Sequence, residues 1–240
     1  MASAGLAEKL EECTERCRTM DGPLSVRLQT LADSVRALSP EFAEIVDRMV
    51  ARLRDAGAGE RAPVPGEPMP DFMLPDQNGR LVHLAALLGK GPVVLAFHRG
   101  HWCPYCRINA SALAAIHGEI RNKGATLVAI TPEVERFNAE LTSSDRNTFP
   151  VVSDMDNGYA LLLNLAFFVG EEKQRAMTAA GWDIAPYQGN GNWTLPIPAT
   201  FVIGRDGLVK ARFIDPDYRR RMETDAILAA LTISRLEQRS

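Results

Sequence analysis

Two cysteines, Cys103 and Cys106, lie two residues apart in the stretch VVLAFHRGHWCPYCRINASAL, which covers residues 93–113. An apolar run precedes the pair, and a pattern typical of a helix follows it. Thiols at this spacing can bind a metal ion, form a structural disulfide or exchange electrons. The elements around them decide between these chemistries, because they determine where the two sulfur atoms lie.

Cys103 is predicted to lie in the first turn of the helix that follows the strand. Unpaired backbone N–H groups and the helix dipole favour a thiolate there, and can lower a cysteine pKa well below its free value of about 8.5. Arg99, four residues upstream, is predicted to add positive charge. We therefore interpret Cys103 as the attacking nucleophile. Cys106, one turn further along, is interpreted as the more buried thiol that attacks Cys103 once that sulfur has been oxidised.

The other two chemistries are disfavoured. A disulfide that closes so small a loop constrains little of the unfolded chain, which argues against a structural role. A zinc site would use His98, His101, Cys103 and Cys106, but the sequence offers no second, distant pair of ligands. His98 also ends a strand, whereas the cysteines begin a helix, so we expect no metal. Redox chemistry is favoured because C-x-x-C beside a β-α-β pattern is typical of thioredoxin-like proteins.

The elements around the pair predict an α/β fold with a mixed central sheet and helices on both faces. Asn78-Gly79 lies between alternating apolar flanks and indicates a hairpin. The order of elements is then β-α-β-α-β, followed by β-β-α. A segment of mixed structure from Asn164 to Trp193 is inserted before the final hairpin and closing helix.

Three amphipathic helices are predicted before this sheet. We divide the chain into an N-terminal helical extension at 1–56, a proline-rich linker at 57–70 (GAGERAPVPGEPMP) and a main domain at 71–240. The helices must bury their apolar stripes on the main domain or on a second copy of the chain. Cys13 and Cys17 are interpreted as small core residues of the first helix. The alternatives are a second thiol relay and a dimer contact.

Composition excludes several classes of protein. The 240 residues are 46% hydrophobic and carry a formal net charge of -3, so nucleic acid and anionic membrane are not expected partners. No apolar run is long enough to span a bilayer. The first residues lack the apolar region of a secretory signal, and four cysteines are too few for a disulfide-rich secreted scaffold. We therefore expect a cytoplasmic protein.

The motif WCPYC between a strand and a helix resembles a thioredoxin-fold active site. The segments HRGHWCPYC, LPIPATFVIGRDGLVKARFIDPDYRRRMETDAILAAL and RAPVPGEPMPDFMLPDQNGRLVHLAALLGKGPVVLAF resemble the peroxiredoxin-like branch of the alkyl hydroperoxide reductase and thiol-specific antioxidant family. The resemblance covers residues 61–235. It implies a thioredoxin-like fold and a thiol-based antioxidant enzyme with no metal or organic cofactor. It also implies a hydroperoxide substrate, a thioredoxin or glutathione-type reductant, and a homodimer.

The sequence departs from that family's pattern at three places. Family members have threonine or serine three residues before the reactive cysteine and proline seven before it, where this chain has Gly100 and Ala96. Their arginine before the strand that follows the insertion is replaced by Pro198. Proline there is the thioredoxin arrangement, so we expect a cis Ile197–Pro198 bond with the ring near Cys103. Arg99 is then expected to replace the missing arginine.

The neighbours of the cysteines receive smaller roles. Trp102 is predicted to cover the thiol and contribute to a docking surface, and His101 to tune the proton of Cys103. The arginine run at 219–221 is interpreted as a solvated face. Two functions stay open: a hydroperoxide reductase recycled by a thiol donor, and a general thiol-disulfide oxidoreductase or redox sensor without efficient peroxidase activity.

Overall fold

The molecule is built around a mixed five-stranded sheet, seen in a computed structural model that describes residues 2–142 and 149–237. The strands are β1 Met73–Pro75, β2 Leu81–His83, β3 Val93–Phe97, β4 Thr126–Thr131, β5 Val151–Ser153, β6 Ala166–Phe168, β7 Thr194–Pro196, β8 Ala199–Ile203 and β9 Val209–Ile214. The helices are α1 Ala2–Thr19, α2 Leu24–Leu38, α3 Pro40–Asp55, α4 Leu84–Leu88, α5 Pro104–Asn122, α6 Glu135–Asn138, α7 Gly158–Leu162, α8 Glu171–Ala179, α9 Ala185–Gln188 and α10 Thr224–Glu237.

The five strands lie in the order β5–β4–β3–β8–β9. The β3 strand pairs in parallel with β4 and antiparallel with β8, and β4 pairs in parallel with β5. Every residue of β3 is buried, which explains its unbroken apolar sequence: a central strand covered on both faces has no solvent side. The predicted α/β class with a mixed sheet is therefore confirmed.

The α5 helix begins at Pro104, directly after the loop that leaves β3. Proline suits a first helical position because its fixed φ is already helical and its missing N–H would be unpaired there. Cys103 is the residue that caps this end, with extended backbone geometry. The strand, loop and helix thus hold Cys103 at the carboxyl edge of the central sheet.

The N-terminal extension packs onto the main domain. The α1 and α2 helices contact α5, and α3 contacts α8. Glu11 of α1 also forms two 2.7 Å hydrogen bonds with the Arg107 guanidinium of α5. The apolar stripes of the extension are therefore covered within one chain, although a second copy can still pack elsewhere.

The segment between the extension and the sheet has no helix or long strand of its own. Its backbone nevertheless hydrogen-bonds the start of β9, with the Gly66 amide donating to the Val209 carbonyl at 2.8 Å and the Val209 amide to Glu67 at 2.9 Å. The division of the chain at residues 56 and 70 stays a prediction. Among the helices of the described residues, none is both long and apolar enough to cross a membrane.

Both predicted hairpins are present, as β1–β2 and β8–β9. The mixed segment from Asn164 to Trp193 contains β6, α8 and α9, and β6 pairs with β7 in a separate two-stranded sheet. The helix expected after β4 is shorter than its sequence pattern, with a single α-helical turn at α6 followed by a 3₁₀ turn over Ala139–Leu141.

The predicted cis bond before Pro198 is wrong: peptide bonds throughout the described residues are trans. The Ile197 amide donates a 2.7 Å hydrogen bond to the Leu165 carbonyl, next to the β6–β7 pairing. The chain therefore runs extended from β7 directly into β8 and needs no reversal at the proline. The cis-proline arrangement of thioredoxin is not reproduced at this position.

Candidate active site

Cys103 caps α5, and Cys106 lies in the first turn of that helix. The Cys106 amide donates to the Cys103 carbonyl at 3.0 Å, so the two side chains leave the helix one turn apart. Both thiols are 0% exposed, and each is a free cysteine. A nucleophile and a second thiol are thus held together beneath the protein surface.

Arg99 contacts both sulfur atoms. Its Nη2 donates a 3.0 Å hydrogen bond to Cys103 Sγ, and its backbone amide donates to Cys106 Sγ at 3.3 Å. The guanidinium carbon lies 3.5 Å from the centre of the Tyr218 ring and 5.2 Å from that of Trp102, so two aromatic faces hold it in place. With only 3% of its surface exposed, Arg99 brings a fixed positive charge to a poorly hydrated thiol.

The surroundings of the two thiols shift their pKa values in opposite directions. Burial alone would raise the pKa of Cys103, but a hydrogen bond from Cys106 and the charges of Arg99 and Arg221 hold it well below its usual value. For Cys106, burial raises the pKa, and its hydrogen bond to Cys103 and the charge there raise it further. These opposite directions favour Cys103 as the thiolate and Cys106 as the protonated thiol that hydrogen-bonds to it.

Arg221 is a site residue that sequence reasoning missed. The interpretation of the arginine run as a solvated face is wrong at this position, where the side chain is 6% exposed and Nη2 lies 3.6 Å from Cys106 Sγ. It holds for Arg220, which is exposed and pairs with Asp215. Three identical neighbours in an irregular loop carry no periodicity, so the sequence has no signal for which one turns inward.

Glu133 is a second residue without a sequence signal, and it anchors the loop before Cys103. One carboxylate oxygen accepts a 2.8 Å hydrogen bond from the His101 backbone amide, and the other lies 2.8 Å from His101 Nδ1. Burial lowers the pKa of His101, but the hydrogen bond and charge of Glu133 give a net rise. The structure thus brings His101 against Glu133, and its effect on the Cys103 proton stays a prediction.

Gly100 explains one departure from the family pattern. Its φ is +139°, a conformation that side chains other than glycine rarely adopt. A Cβ here would lie 2.5 Å from Trp102 Nε1 and 2.6 Å from Glu133 Oε1. A threonine or serine at this position is therefore incompatible with the loop that Glu133 holds.

His98 does not converge on the cysteines. Its Nδ1 lies 3.1 Å from the Ala96 carbonyl and its Nε2 lies 2.9 Å from the Asn109 amide nitrogen, which occupies both ring nitrogens. Burial, and then the charge of Arg221, lower the pKa of His98 to about 3, so the ring is neutral. Within residues 2–142 and 149–237 no group of three or more His, Cys, Asp and Glu side chains is arranged to hold a metal ion.

A cavity of about 450 Å³ opens beside this site. Trp102 and Arg99 form part of its wall, whereas Pro198 is buried between β7 and β8 and does not line it. Lys173 also lines it, with Nζ 4.5 Å from the Phe42 ring centre and 3.4 Å from the Tyr218 hydroxyl. Burial, and then the charge of Arg99, lower the pKa of Lys173 well below its usual value.

Comparison with known families matches residues 65–212 to the family described as AhpC/TSA. A putative peroxiredoxin of Mycobacterium tuberculosis is 34% identical over 89 residues, which are 37% of this chain and 58% of that relative, so the match leaves much of the relative uncovered. The thiol-disulfide oxidoreductase ResA of Bacillus subtilis is 32% identical over 100 residues, 41% of this chain and 55% of ResA. The crystal structure of peroxidoxin BcpB from Mycobacterium tuberculosis superposes with a TM-score of 0.55 at 25% identity, covering 71% of this chain and 97% of BcpB.

Proposed function

The chain belongs to the AhpC/TSA family, and from that premise we propose that it is an antioxidant enzyme that reduces hydroperoxides through a Cys103–Cys106 dithiol-disulfide cycle. One observation carries the proposal: the guanidinium of Arg99 donates directly to Cys103 Sγ at 3.0 Å inside a buried site. A thiolate with a fixed cation at this distance is equipped to attack a peroxide oxygen.

In the first step, the Cys103 thiolate attacks the terminal oxygen of the hydroperoxide. An S–O bond forms, the O–O bond breaks, and the leaving alkoxide or hydroxide takes a proton to become an alcohol or water. Negative charge builds on the departing oxygen, so a nearby guanidinium stabilises the transition state. Arg99 supplies this charge from a position fixed by the Tyr218 ring.

In the second step, Cys106 attacks the Cys103 sulfenic acid. The S–O bond breaks, a disulfide forms, and the released hydroxide is protonated to water. Arg221 Nη2, 3.6 Å from Cys106 Sγ, stabilises Cys106 as it loses its proton. A thioredoxin or glutathione-type donor then supplies two electrons and two protons and restores the two thiols.

Of the other residues predicted for the site, Trp102 and His101 fit this cycle as positioning groups, and Pro198 does not. Trp102 covers the guanidinium of Arg99 and faces the cavity, where a reductant would meet the protein. His101 holds the loop through Glu133. Pro198 is assigned only to the packing between β7 and β8, because it is buried there as a trans residue.

Location and assembly are proposed on chemical grounds. A cytoplasmic location suits the cycle because a reducing compartment returns the pair to the dithiol form. A homodimer is proposed with its contact near Leu161 and Leu162, whose apolar side chains are exposed. Sedimentation of the purified chain tests the assembly.

The function is tested by supplying hydrogen peroxide or an organic hydroperoxide with thioredoxin, its reductase and NADPH, and following NADPH oxidation. Rapid turnover that requires both Cys103 and Cys106 supports the proposal. Oxidation of Cys103 without turnover contradicts it.

The alternative, a general thiol-disulfide oxidoreductase or redox sensor, is favoured by the similarity to ResA and by the C-x-x-C spacing. The Arg99 guanidinium on Cys103 Sγ argues against it, because disulfide exchange has a thiolate as its leaving group and needs less help from a fixed cation than cleavage of an O–O bond. Reduction of insulin or of a small disulfide at rates above those of any hydroperoxide would favour the alternative.

A further inference from the structure

The N-terminal extension contributes to the cavity beside the cysteines, together with α5, α8 and the loop after α8. Arg99, Trp102, Lys173 and Tyr218 also line it, and we call the part that they form, next to Cys103, its inner end. The extension lines it with the apolar side chains of Ala7, Leu10, Val35, Leu38, Phe42 and Ile45, and the remaining apolar lining comes from α5, from α8 and from the residues around these two helices. The extension therefore supplies a large part of the apolar wall next to a reactive thiol, and its packing onto the main domain encloses a space that the sheet and α5 alone would leave open.

The inner end of the cavity presents polar N–H groups that are not paired. Arg99 Nε and Trp102 Nε1 are buried and have no hydrogen-bond acceptor among the residues that the structure describes. Both residues line the cavity, and Arg99 also donates to Cys103 Sγ. Buried donors of this kind normally have a partner, so a ligand that brings oxygen acceptors to this end fits the site.

Charged side chains in the cavity lining bear on which end of a ligand suits the inner end. Arg99 and Lys173 both lie at the inner end, and the charge of Arg99 disfavours protonation of Lys173. Of the two lining carboxylates, Glu11 is engaged by Arg107, and Glu41 is an exposed residue at the start of α3. At the inner end the charge of Arg99 disfavours a cationic group, whereas a ligand with an electron-rich oxygen end and an apolar body has a complementary place for each part.

We propose that this cavity binds the apolar body of a bulky organic hydroperoxide and directs its –OOH group toward Arg99 and Cys103. The volume of about 450 Å³ lies within the range of roughly 300–1,000 Å³ that is typical of pockets for small organic ligands. This inference rests on the proposed function and narrows its substrate class. The N-terminal extension and α8 then act as specificity elements, since together they contribute to the wall that contacts the organic part.

The reaction is the one already described, with the apolar body held during both bond changes. The terminal oxygen is transferred to Cys103, the O–O bond breaks, and the organic part leaves as an alcohol after taking a proton. Hydrogen peroxide has no apolar body and gains nothing from the wall. The cavity therefore raises the ratio of kcat/KM for a bulky hydroperoxide to kcat/KM for hydrogen peroxide.

The first test fills the cavity from α8 without touching the thiols. Ala176 is half-buried and lines the cavity, and Thr178 on the same helix is exposed and does not line it. In Ala176→Phe, the ratio of kcat/KM for cumene hydroperoxide to that for hydrogen peroxide should fall about tenfold or more, since a ring occupies the space of the substrate. Thr178→Phe is the matched control and should keep the wild-type ratio. Ala180→Phe fills the same cavity and replaces Ala176→Phe if that variant does not fold.

A second measurement reads binding without turnover. In Cys103→Ser, cumyl alcohol, the product of cumene hydroperoxide, should change tryptophan emission in a saturable manner, because Trp102 and Trp182 both line the cavity. Adding Ala176→Phe should weaken this binding at least tenfold, and adding Thr178→Phe should not.

The two measurements separate the inference from the function on which it rests. If hydroperoxides are reduced but neither Ala176→Phe nor Ala180→Phe changes the ratio, the cavity is not the substrate site and the proposed function stands. If no hydroperoxide is reduced, the proposed function fails and binding of cumyl alcohol decides. Saturable binding that Ala176→Phe weakens supports the cavity as an apolar-ligand site, and its absence overturns the inference.

Discussion

Two cysteine pairs lie in the same chain, and they differ in what surrounds the sulfur. Cys13 and Cys17 are one helical turn apart in α1, as Cys103 and Cys106 are in α5. At the first pair, Arg16 Nη2 lies 3.7 Å from Cys13 Sγ in a contact that is exposed to solvent. Burial raises the pKa of Cys17, whereas Cys103 is fully buried and has its pKa held well below the usual value.

The comparison shows that burial and spacing do not by themselves make a reactive thiol. Cys17 has a buried arginine neighbour, but Arg27 Nε donates to its backbone carbonyl at 2.9 Å. Arg99 donates to the sulfur itself at 3.0 Å, and Arg221 adds a second charge. A guanidinium must reach the sulfur in a poorly hydrated site before its charge outweighs the cost of burying a thiolate.

The largest expected difference between the pairs is in catalysis. Cys103→Ser should lower the rate of hydroperoxide reduction at least about a thousandfold, because it removes the nucleophile. Cys17→Ala should change it less than twofold, because Cys17 is part of the core between helices. The NADPH-coupled assay measures both. A large loss in Cys17→Ala with the fold intact, judged by circular dichroism, would mean that α1 carries a second thiol relay.

Arg99→Ala should lower the rate of Cys103 oxidation by peroxide about a hundredfold, the scale on which one such donor contributes. Arg99→Lys should recover only part of it, since a lysine keeps the charge but not the planar fork. Arg16→Ala, beside the other pair, is the control and should leave the rate unchanged. Stopped-flow measurement across pH tests the reason: full recovery of Arg99→Ala at alkaline pH would show that Arg99 acts only on the thiolate fraction.

Arg221→Ala should raise the pKa of Cys103 toward its usual value, because one of the charges that lower it is removed. Alkylation of Cys103 by iodoacetamide at pH 7 should then slow up to about tenfold, the effect of one pKa unit, and return to the wild-type rate above about pH 9. Arg220→Ala removes an exposed arginine of the same run and should leave the pH dependence of Cys103 alkylation unchanged. Alkylation of Cys106 at lower pH than Cys103 would reverse their assigned roles.

The lowered pKa of Cys103 also makes the stability of the folded protein depend on pH. Cys103 releases its proton at lower pH in the folded protein than in the unfolded chain. This difference raises the free energy of unfolding, and its contribution is complete at pH values above the pKa of the unfolded thiol, about 8.5. That contribution is lost as the pH falls through the folded pKa. In urea titrations, the free energy of unfolding of the wild type should therefore increase relative to that of Cys103→Ser as the pH rises from 6 to 9. A constant difference across this range would contradict a thiolate at Cys103.

The smallest effect is expected from Glu133→Gln. The change keeps an acceptor for the His101 amide but removes the charge that holds the ring, so the loop before Cys103 should loosen and its oxidation slow about threefold to tenfold. Glu140→Gln alters the exposed carboxylate 3.4 Å from the other ring nitrogen and serves as control. Equal losses in the two variants would mean that Glu133 has no special part in holding the loop.

The sequence by itself determined the main elements and the placement of two adjacent thiols where α5 begins. The apolar run of β3, the proline at the start of α5 and the C-x-x-C spacing are local features, and local backbone preference translates them directly into a strand, a helix start and two adjacent thiols. Arg99 was predictable for the same reason, because it lies four residues from Cys103 in the connecting loop.

Only the tertiary structure decided which distant groups complete the site. Tyr218 and Arg221 follow Cys103 by more than a hundred residues, and Lys173 and Glu133 come from separate elements. Such residues carry no periodicity that tells an inward side chain from a solvated one, and their position depends on how β9, α8 and the loops pack around α5. The trans bond before Pro198 was likewise set by the pairing of β6 with β7, which directs the chain straight into β8.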